Sequence, residues 1–284
     1  MNKQLGFIGG GNMANAIIGG IIESRQLIPE KIYVYDCHPE KSKRLQQKYG
    51  IKLNFSEKEV AKNAQILFLA VKPNVIIEVL KDNKLSLRKK DFIVISLAAG
   101  VTLDWLARLI GPGYKIIRVM SNTPALVGKA MTSVTPNSLV TQQEVNEVLN
   151  IFNIIGKTEI LPESLIHTVI GVSSSAPAYV YMFIEAMADA AVRAGMPRRQ
   201  AYKFAAQAVK GAAQMVLQTG KHPGELKDEV CSPNGTTIEA VKLLEEKGLR
   251  AAVLAAIQSC IEKSIKIEDN LLQTLSGKMA NKII

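Results

Sequence analysis

The chain has 284 residues, 48% of them hydrophobic and 21% charged, and its 35 Lys and Arg against 25 Asp and Glu give a formal net charge of +10. This is ordinary globular composition over a length that suits two domains, and its basic residues are spread out, with no block longer than Arg88-Lys89-Lys90 and no basic stripe with interleaved aromatics, so no nucleic-acid partner is expected. Cys37, Cys231 and Cys260 are odd in number and far apart, and His38, His167 and His222 share no metal-ligand spacing with them or with each other, which points to a reducing, cytoplasmic setting with no disulfide framework and no metal.

In chain order, residues 5–8 form a short apolar run that ends in Gly9-Gly10-Gly11-Asn12-Met13-Ala14. No leader is expected before it. Ala14, Ile17, Ile18, Ile21 and Ile22 then recur with the i, i+3, i+4 spacing of an amphipathic helix. Strand, Gly-rich turn and helix together predict a dinucleotide site. Gly9 serves the tight turn, Gly11 lets a pyrophosphate approach the backbone, and Ala14 is the small residue where helix meets strand. The strand predicted over 31–35 ends in Asp36, an acidic residue placed to hold adenosine ribose hydroxyls and to repel a 2′-phosphate. Lys41, Lys43 and Arg44 follow closely; they either offset that repulsion or form a solvated helix face.

Further strands are predicted over 65–71, 92–97 and 115–120, with helices near 75–81 and 103–110 between them. This alternation is the mark of a doubly wound parallel sheet of the Rossmann type, which binds ligands beyond the C-terminal strand ends. Those ends carry Ala70-Val71-Lys72-Pro73, then Ala98-Ala99-Gly100, then Ser121-Asn122-Thr123-Pro124. An edge segment at 131–135, a helix at 142–154 and a strand at 157–160 complete a dinucleotide-binding domain over 1–161. A hinge is expected near Pro162.

Residues 162–284 read as an all-helical domain. In 176–194 the charges Glu185, Asp189 and Arg193 fall four apart, one narrow polar stripe on an otherwise apolar helix. The segment is too short and too charged to span a membrane. A helix apolar nearly all round belongs in a core or a subunit interface, so a homo-oligomer is expected. A second helix over 201–217 is interrupted by Gly211 and ends near Gly220; a third covers 249–272. Before that third helix, Pro233-Asn234-Gly235 forms a turn, with Thr236-x-x-Glu239 as a capping box and Ile238, Val241 and Leu244 as a buried face. Backbone N–H groups at that helix start, with the hydroxyls of Ser232, Thr236 and Thr237, suit a small carboxylate.

Five stretches carry a family resemblance: Gly6-Phe7-Ile8-Gly9-Gly10-Gly11-Asn12-Met13-Ala14, Leu69-Ala70-Val71-Lys72-Pro73, Arg118-Val119-Met120-Ser121-Asn122-Thr123-Pro124, Ala176-Pro177-Ala178-Tyr179-Val180 and Val230-Cys231-Ser232-Pro233-Asn234-Gly235-Thr236-Thr237. Together they resemble the pyrroline-5-carboxylate reductase family over nearly the whole chain. The resemblance implies an oxidoreductase of proline biosynthesis that reduces the C=N bond of 1-pyrroline-5-carboxylate to L-proline with NADP or NAD as the nicotinamide cofactor. It implies cofactor contacts at Gly9, Gly10, Gly11, Asn12, Met13, Asp36, Ala70, Val71, Lys72, Pro73, Ala98 and Asn122. Substrate contacts fall at Val230, Ser232, Asn234, Gly235 and Thr236, and Thr237 is the catalytic residue. The helical domain is then one that interlocks into dimers, often assembled further into decamers, with the site formed between one subunit's sheet and its partner's helices.

Three positions depart from the family pattern. Ser121 stands where Pro is usual, Asn234 where Gly is usual, and Cys37 where NADPH-preferring members often carry Arg. A β-hydroxyacid dehydrogenase would share the opening fold but use a Lys on the interdomain helix, and residues 173–192 contain none. A cofactor-sensing relative without turnover would be expected to lose the Thr pair, which is present.

Overall fold

A computed structural model describes residues 3–80 and 92–280. Two predicted features therefore fall partly or wholly outside the described residues: the end of the 75–81 helix at Lys81, and the basic run Arg88-Lys89-Lys90. The chain separates into two compact units, one of Met1–Ser174 with Cys260–Ile284 and one of Ser175–Ser259.

The first unit is built on an eight-stranded sheet. Its strands are β1 (Leu5–Ile8), β2 (Ile32–Tyr35), β3 (Lys52–Leu53), β4 (Ile66–Leu69), β5 (Ile93–Ser96), β6 (Lys115–Met120), β7 (Ala130–Pro136) and β8 (Gly156–Ile160), in the order 3-2-1-4-5-6-7-8. Only β6 and β7 pair antiparallel. The segment at 131–135 is therefore not an edge: β7 lies between β6 and β8, because β8 supplies a parallel partner from Ala130 to Val134. Sequence pattern also passes over β3, too short at two residues to show alternation, and the helix that follows it.

Helices α1 (Asn12–Glu23), α2 (Pro39–Tyr49), α3 (Glu57–Asn63), α4 (Pro73–Leu80), α5 (Leu103–Ile110) and α6 (Gln142–Asn153) cover the sheet. Strands β1, β4 and β5 are buried at every position, which is why they read as continuous apolar runs rather than alternating ones. On one face Phe7 stacks on Phe68 at 4.4 Å between ring centroids, and Ile17, Ile18 and Ile21 of α1 share a core with Ile151 and Phe152 of α6. The other face packs Leu67, Leu69 and Val94 against Val60, Ile76, Trp105 and Leu106. Hydroxyls cap three of these helices: Ser56 accepts from Glu59 N–H, Thr102 from Trp105 N–H, and Thr141 from Glu144 N–H, whose side chain returns a full capping box.

The short helix α7 (Ile166–Val169) and a π-helical turn over Ile170–Ser174 close this part of the unit. The last helix, α12 (Leu249–Ala280), runs past the 272 expected from sequence, and its residues from Cys260 onward belong to the first unit. A buried cation fixes that stretch. Arg118 of β6, 1% exposed, donates from Nη1 to Glu163 Oε1 at 2.7 Å and from Nη2 to Glu268 Oε2 of α12 at 3.0 Å. Glu163 Oε1 also accepts Leu103 N–H at the start of α5, at 2.8 Å. His167 of α7 lies 3.4 Å from Glu268 Oε1 through Nε2 and 2.9 Å from Ser264 Oγ through Nδ1.

The second unit contains α8 (Ala176–Arg193), α9 (Arg198–Thr219), α10 (Pro223–Val230), α11 (Thr236–Glu246) and the beginning of α12. Gly211 does not interrupt α9, since a single glycine costs a long helix only about 1 kcal/mol and sixteen of the other twenty-one residues of α9 are the good helix formers Ala, Gln, Arg, Lys, Met and Leu. The helix stops at Gly220, whose φ of 67° is left-handed. Side chains with little cover are common here, among them Tyr181, Met182, Phe183, Phe204, Leu217 and Leu254. The face expected of Ile238, Val241 and Leu244 is likewise not buried within the chain: Ile238 and Leu244 are 37% and 43% exposed. Among the described residues no helix is long and apolar enough to cross a membrane.

Two outcomes follow from these charges. Burial opposes ionisation of Glu144, but its 2.6 Å bond to Lys115 and the bonds from Thr141 outweigh that and hold its carboxyl below the ordinary value. A depressed carboxyl contributes stability above its unfolded pKa and loses it as pH falls through the folded one. Urea midpoints of the parent and Glu144→Gln should therefore differ at neutral pH and converge below about pH 4. A gap that persists in acid would assign the effect to packing alone. Arg118→Met should destabilise by about 3 kcal/mol, because it strands two carboxylates side by side. Arg118→Lys should recover only part of this, since one ammonium cannot fork to both; full recovery in urea unfolding would reject the fork as the cause.

Candidate active site

The order 3-2-1-4-5-6 places a switch in winding direction beside β1, where such sheets bind ligands. The turn at Gly9, Gly10 and Gly11 leaves β1 at that point. Gly9 has a φ of +104°, and a Cβ there would stand 2.4 Å from the Ala70 carbonyl oxygen, so the turn passes against the end of β4 only as glycine. Its N–H donates to Tyr35 O at 2.8 Å. Gly11 is the N-cap of α1, no side chain caps that helix, and a Cβ on Gly11 would meet nothing within 4 Å. Open space over bare helix-start amides is what a pyrophosphate needs. Asn12 and Met13 begin the helix itself.

Asp36 follows β2 and is 9% exposed. Its Oδ2 accepts Gly10 N–H at 2.8 Å, and its Oδ1 accepts His38 N–H at 2.8 Å. Lys41 Nζ stands 3.9 Å from Oδ1. Burial is the largest influence on this carboxyl and opposes its ionisation, yet the two N–H bonds and the Lys41 charge together hold it below the usual range. It is thus an ionised acceptor beside the glycine turn, suited to ribose hydroxyls. The residues present fit a dinucleotide. Lys41 is one of the cations expected near Asp36, whereas sequence pattern passes over His38, whose signal was local: an Asp three residues before a helix-starting Pro favours a side-chain bond back to the following amides.

The remaining strand ends line up along the same edge of the sheet. Ala70 follows β4, and its N–H donates to Ile8 O at 2.8 Å. Val71 and Lys72 precede Pro73, the first residue of α4, and the Lys72 carbonyl accepts from Val75 and Ile76. Ala98 lies two residues past β5 and is buried. Asn122 lies two residues past β6, with its amide already engaged: Nδ2 donates to Ser173 O at 3.2 Å, and Oδ1 accepts Met131 N–H at 3.1 Å. Ser173, distant in sequence, gave no sign of this. Ser121 finds a partner in Thr132, hydroxyl to hydroxyl at 2.9 Å, which accounts for a Ser at a position where the resemblance expects Pro.

In the second unit, Val230 ends α10, and the turn that follows leads into α11. Asn234 adopts φ +57°, a left-handed conformation that Asn tolerates and Gly prefers, so the departure from Gly is sterically permitted. The expected capping box does not form. Gly235, extended at φ −88° and ψ 170°, is the N-cap, and Thr236 is already the first helical residue, so its hydroxyl is not placed to reach back over the first turn. A Cβ on Gly235 would come within 2.4 Å of Ser232 Oγ, so the glycine lets that hydroxyl close over the helix start. Among the described residues the hydroxyls of Ser232, Thr236 and Thr237 make no hydrogen bond. An uncapped helix start and three unengaged hydroxyls lie within six residues of each other.

Comparison with known proteins agrees with both halves. A family model described as pyrroline-5-carboxylate reductase dimerisation matches residues 163–267, and one described as NADP oxidoreductase, coenzyme F420-dependent, matches residues 4–100. The pyrroline-5-carboxylate reductase of Escherichia coli K12 is 60% identical over 267 residues, covering 94% of this chain and 99% of that protein. The structure of a pyrroline-5-carboxylate reductase from Coxiella burnetii superposes with a TM-score of 0.87 at 32% identity, over 94% of this chain and 99% of that one. A Plasmodium falciparum pyrroline carboxylate reductase with NADP bound gives a TM-score of 0.84 at 30% identity, over 94% and 98%. With a Rossmann-type dinucleotide cradle, a helical domain matched to a dimerisation family, and 60% identity to a named member across nearly its full length, the chain belongs to the pyrroline-5-carboxylate reductase family.

Proposed function

We propose that the protein reduces the C=N bond of 1-pyrroline-5-carboxylate to L-proline, the last step of proline biosynthesis. The observation that carries this reading is the start of α11, a helix start with no side-chain cap, where the hydroxyls of Ser232, Thr236 and Thr237 make no hydrogen bond among the described residues and offer a polar grip. Such a grip suits a small carboxylate beside a polar or cationic nitrogen. NADPH or NADH, held by Gly9–Met13, Asp36, residues 70–73, Ala98 and Asn122, supplies the hydride when bound. Ser232 and the Gly235 and Thr236 backbone hold the carboxylate, with Val230 and Asn234 shaping the turn. Thr237 turns its hydroxyl oxygen to the protonated imine nitrogen and accepts its N–H, which favours the charged form that takes up hydride at carbon. No covalent nucleophile is needed, only positioning.

The domain division that fits this reading is 1–161 for the dinucleotide and 162–284 for substrate and assembly, and the match to a dimerisation family over 163–267 supports it. The exposed apolar side chains of α8, α9 and α12 suit an interlocked dimer, from which a decamer is built. None of the three Cys forms a disulfide, in keeping with a cytoplasmic enzyme. With Asp36 ionised and Cys37 exposed after it, NADH is used well and any NADPH preference is modest.

Purified oligomeric protein should oxidise both nicotinamides in the presence of pyrroline-5-carboxylate, with a kcat/KM ratio below about 100-fold, or about 2.7 kcal/mol. Absence of oxidation at saturating substrate would reject the activity, and a larger ratio favouring NADPH would show that Lys41 and its neighbours override Asp36. Thr237→Val keeps the side-chain shape and removes the hydroxyl. A hydrogen bond to a charged group is worth about 1.5–3 kcal/mol, so kcat/KM should fall about 10- to 150-fold with quaternary structure and cofactor affinity unchanged. Parent-like turnover would move the contact to a water. Thr236→Val should weaken substrate binding without loss of a helix cap.

A further inference from the structure

We propose that Asp36, Cys37 and His38 form a binding site for a divalent transition metal of the zinc class, and that metal and dinucleotide exclude each other there. The three residues are consecutive, yet their donor atoms converge. Cys37 Sγ lies 3.2 Å from His38 Nδ1 and 3.8 Å from Asp36 Oδ1, and Nδ1 lies 3.3 Å from the same Oδ1. Tetrahedral zinc, with bonds of about 2.0–2.3 Å to N, O and S, has donor-to-donor edges of about 3.3–3.6 Å. The three edges of this triangle, 3.2, 3.3 and 3.8 Å, lie inside that range or within about 0.2 Å of it.

The convergence has a local cause. Gly10 N–H pins one oxygen of Asp36, and His38 N–H takes one lone pair of the other, which leaves a second lone pair of Oδ1 facing the Cys37 and His38 side chains. Pro39 then starts α2 and fixes the direction in which the chain departs. Cys37 and His38 are both exposed, so an ion reaches the triangle from solvent and keeps a water as its fourth ligand. The thiol proton leaves to solvent as the thiolate binds. A cation already favours this spot: Lys41 Nζ stands 3.5 Å from His38 Nδ1 and 3.9 Å from Asp36 Oδ1. Its side chain is 45% exposed on a flexible stem, so it can swing outward when a doubly charged ion takes its place. The expectation of no metal rested on distant His and Cys spacings; adjacent donors gathered by a turn escape that test.

Mutual exclusion rests on the reading of Asp36 as the ribose-holding carboxylate; metal binding itself does not. Tag-free protein titrated with Co²⁺ should develop a thiolate-to-cobalt charge-transfer band together with tetrahedral ligand-field bands, and Zn²⁺ should abolish both. Cys37→Ser should lose the charge-transfer band, and both it and His38→Gln should bind Zn²⁺ at least about tenfold more weakly. With pyrroline-5-carboxylate, Zn²⁺ should raise the apparent KM for NADH and leave kcat unchanged. EDTA should reverse this, and Cys37→Ser should escape it. A missing band, or a band that survives Cys37→Ser, overturns the site. A Cys37-dependent band with no change in the KM for NADH overturns the exclusion and the ribose role of Asp36 together. Activity measured in EDTA tests the reductase reading separately, and the cobalt titration decides the metal site whether or not turnover is seen.

Discussion

A guanidinium that leaves water must find hydrogen bonds inside the protein, and Arg118 finds carboxylate partners for Nη1 and Nη2 on segments far apart in sequence, although its buried Nε has none. Its two carboxylate partners are themselves shared, Glu163 with the first amide of α5 and Glu268 with His167. One buried charge therefore sets the relation of β6, the turn before α7, α5 and the late part of α12. Stranding either carboxylate costs more than an ordinary hydrogen bond, so these segments hold one arrangement rather than several. The consequence reaches the cofactor edge of the sheet. Asn122 follows the same strand by two residues and is tied to β7 and to the π-helical turn at once. The strand end proposed to face the cofactor is held by hydrogen bonds on both sides, and the strand behind it is anchored.

The two halves of the chemistry are prepared in opposite ways. At the glycine turn, Asp36 has its amide partners in place before any ligand arrives. A cofactor bound there meets a fixed acceptor and little rearrangement is needed. At the start of α11, among the described residues, the hydroxyls of Ser232, Thr236 and Thr237 make no hydrogen bond, while the Gly235 N–H donates to Ser232 O at 3.1 Å. The first arrangement suits a large ligand recognised by shape, the second a small one recognised by what it alone can satisfy. The proposed hydride transfer draws on both kinds of preparation and asks of the protein no chemistry beyond a hydrogen bond.

Much of this was legible in the residues. Strands β1, β4, β5 and β6 announce themselves as apolar runs bounded by glycine, proline or charge, and the glycine turn reads from its place between a strand and a helix. What sequence reading lost was set by distance or by one dihedral angle. Nothing local links Arg118 to Glu268, 150 positions away. Thr236 matches a capping box in every letter, yet the backbone turns helical one residue earlier than the match requires, and Gly235 takes the cap. The strand at β7 reads as an edge because its second neighbour, β8, lies beyond a whole helix. Gly211 fails to interrupt α9 because the weak preference of one residue yields to the length around it.

The second unit carries one more consequence. Its buried hydrophobic side chains are Ala188, Ala201 and Ala205, while Phe204, Leu217 and Leu254 stand in solvent. Three alanines cannot offset the entropy of ordering some eighty residues, at about 1–2 kcal/mol each. The match to a dimerisation family points to another copy of the chain as the source of the missing apolar burial, and a half completed in that way folds in a bimolecular event. Its melting temperature then rises with protein concentration by mass action. Newly made chains are most vulnerable to proteases at the lowest cellular abundance, and a substitution on an exposed helix face acts on lifetime before it acts on catalysis.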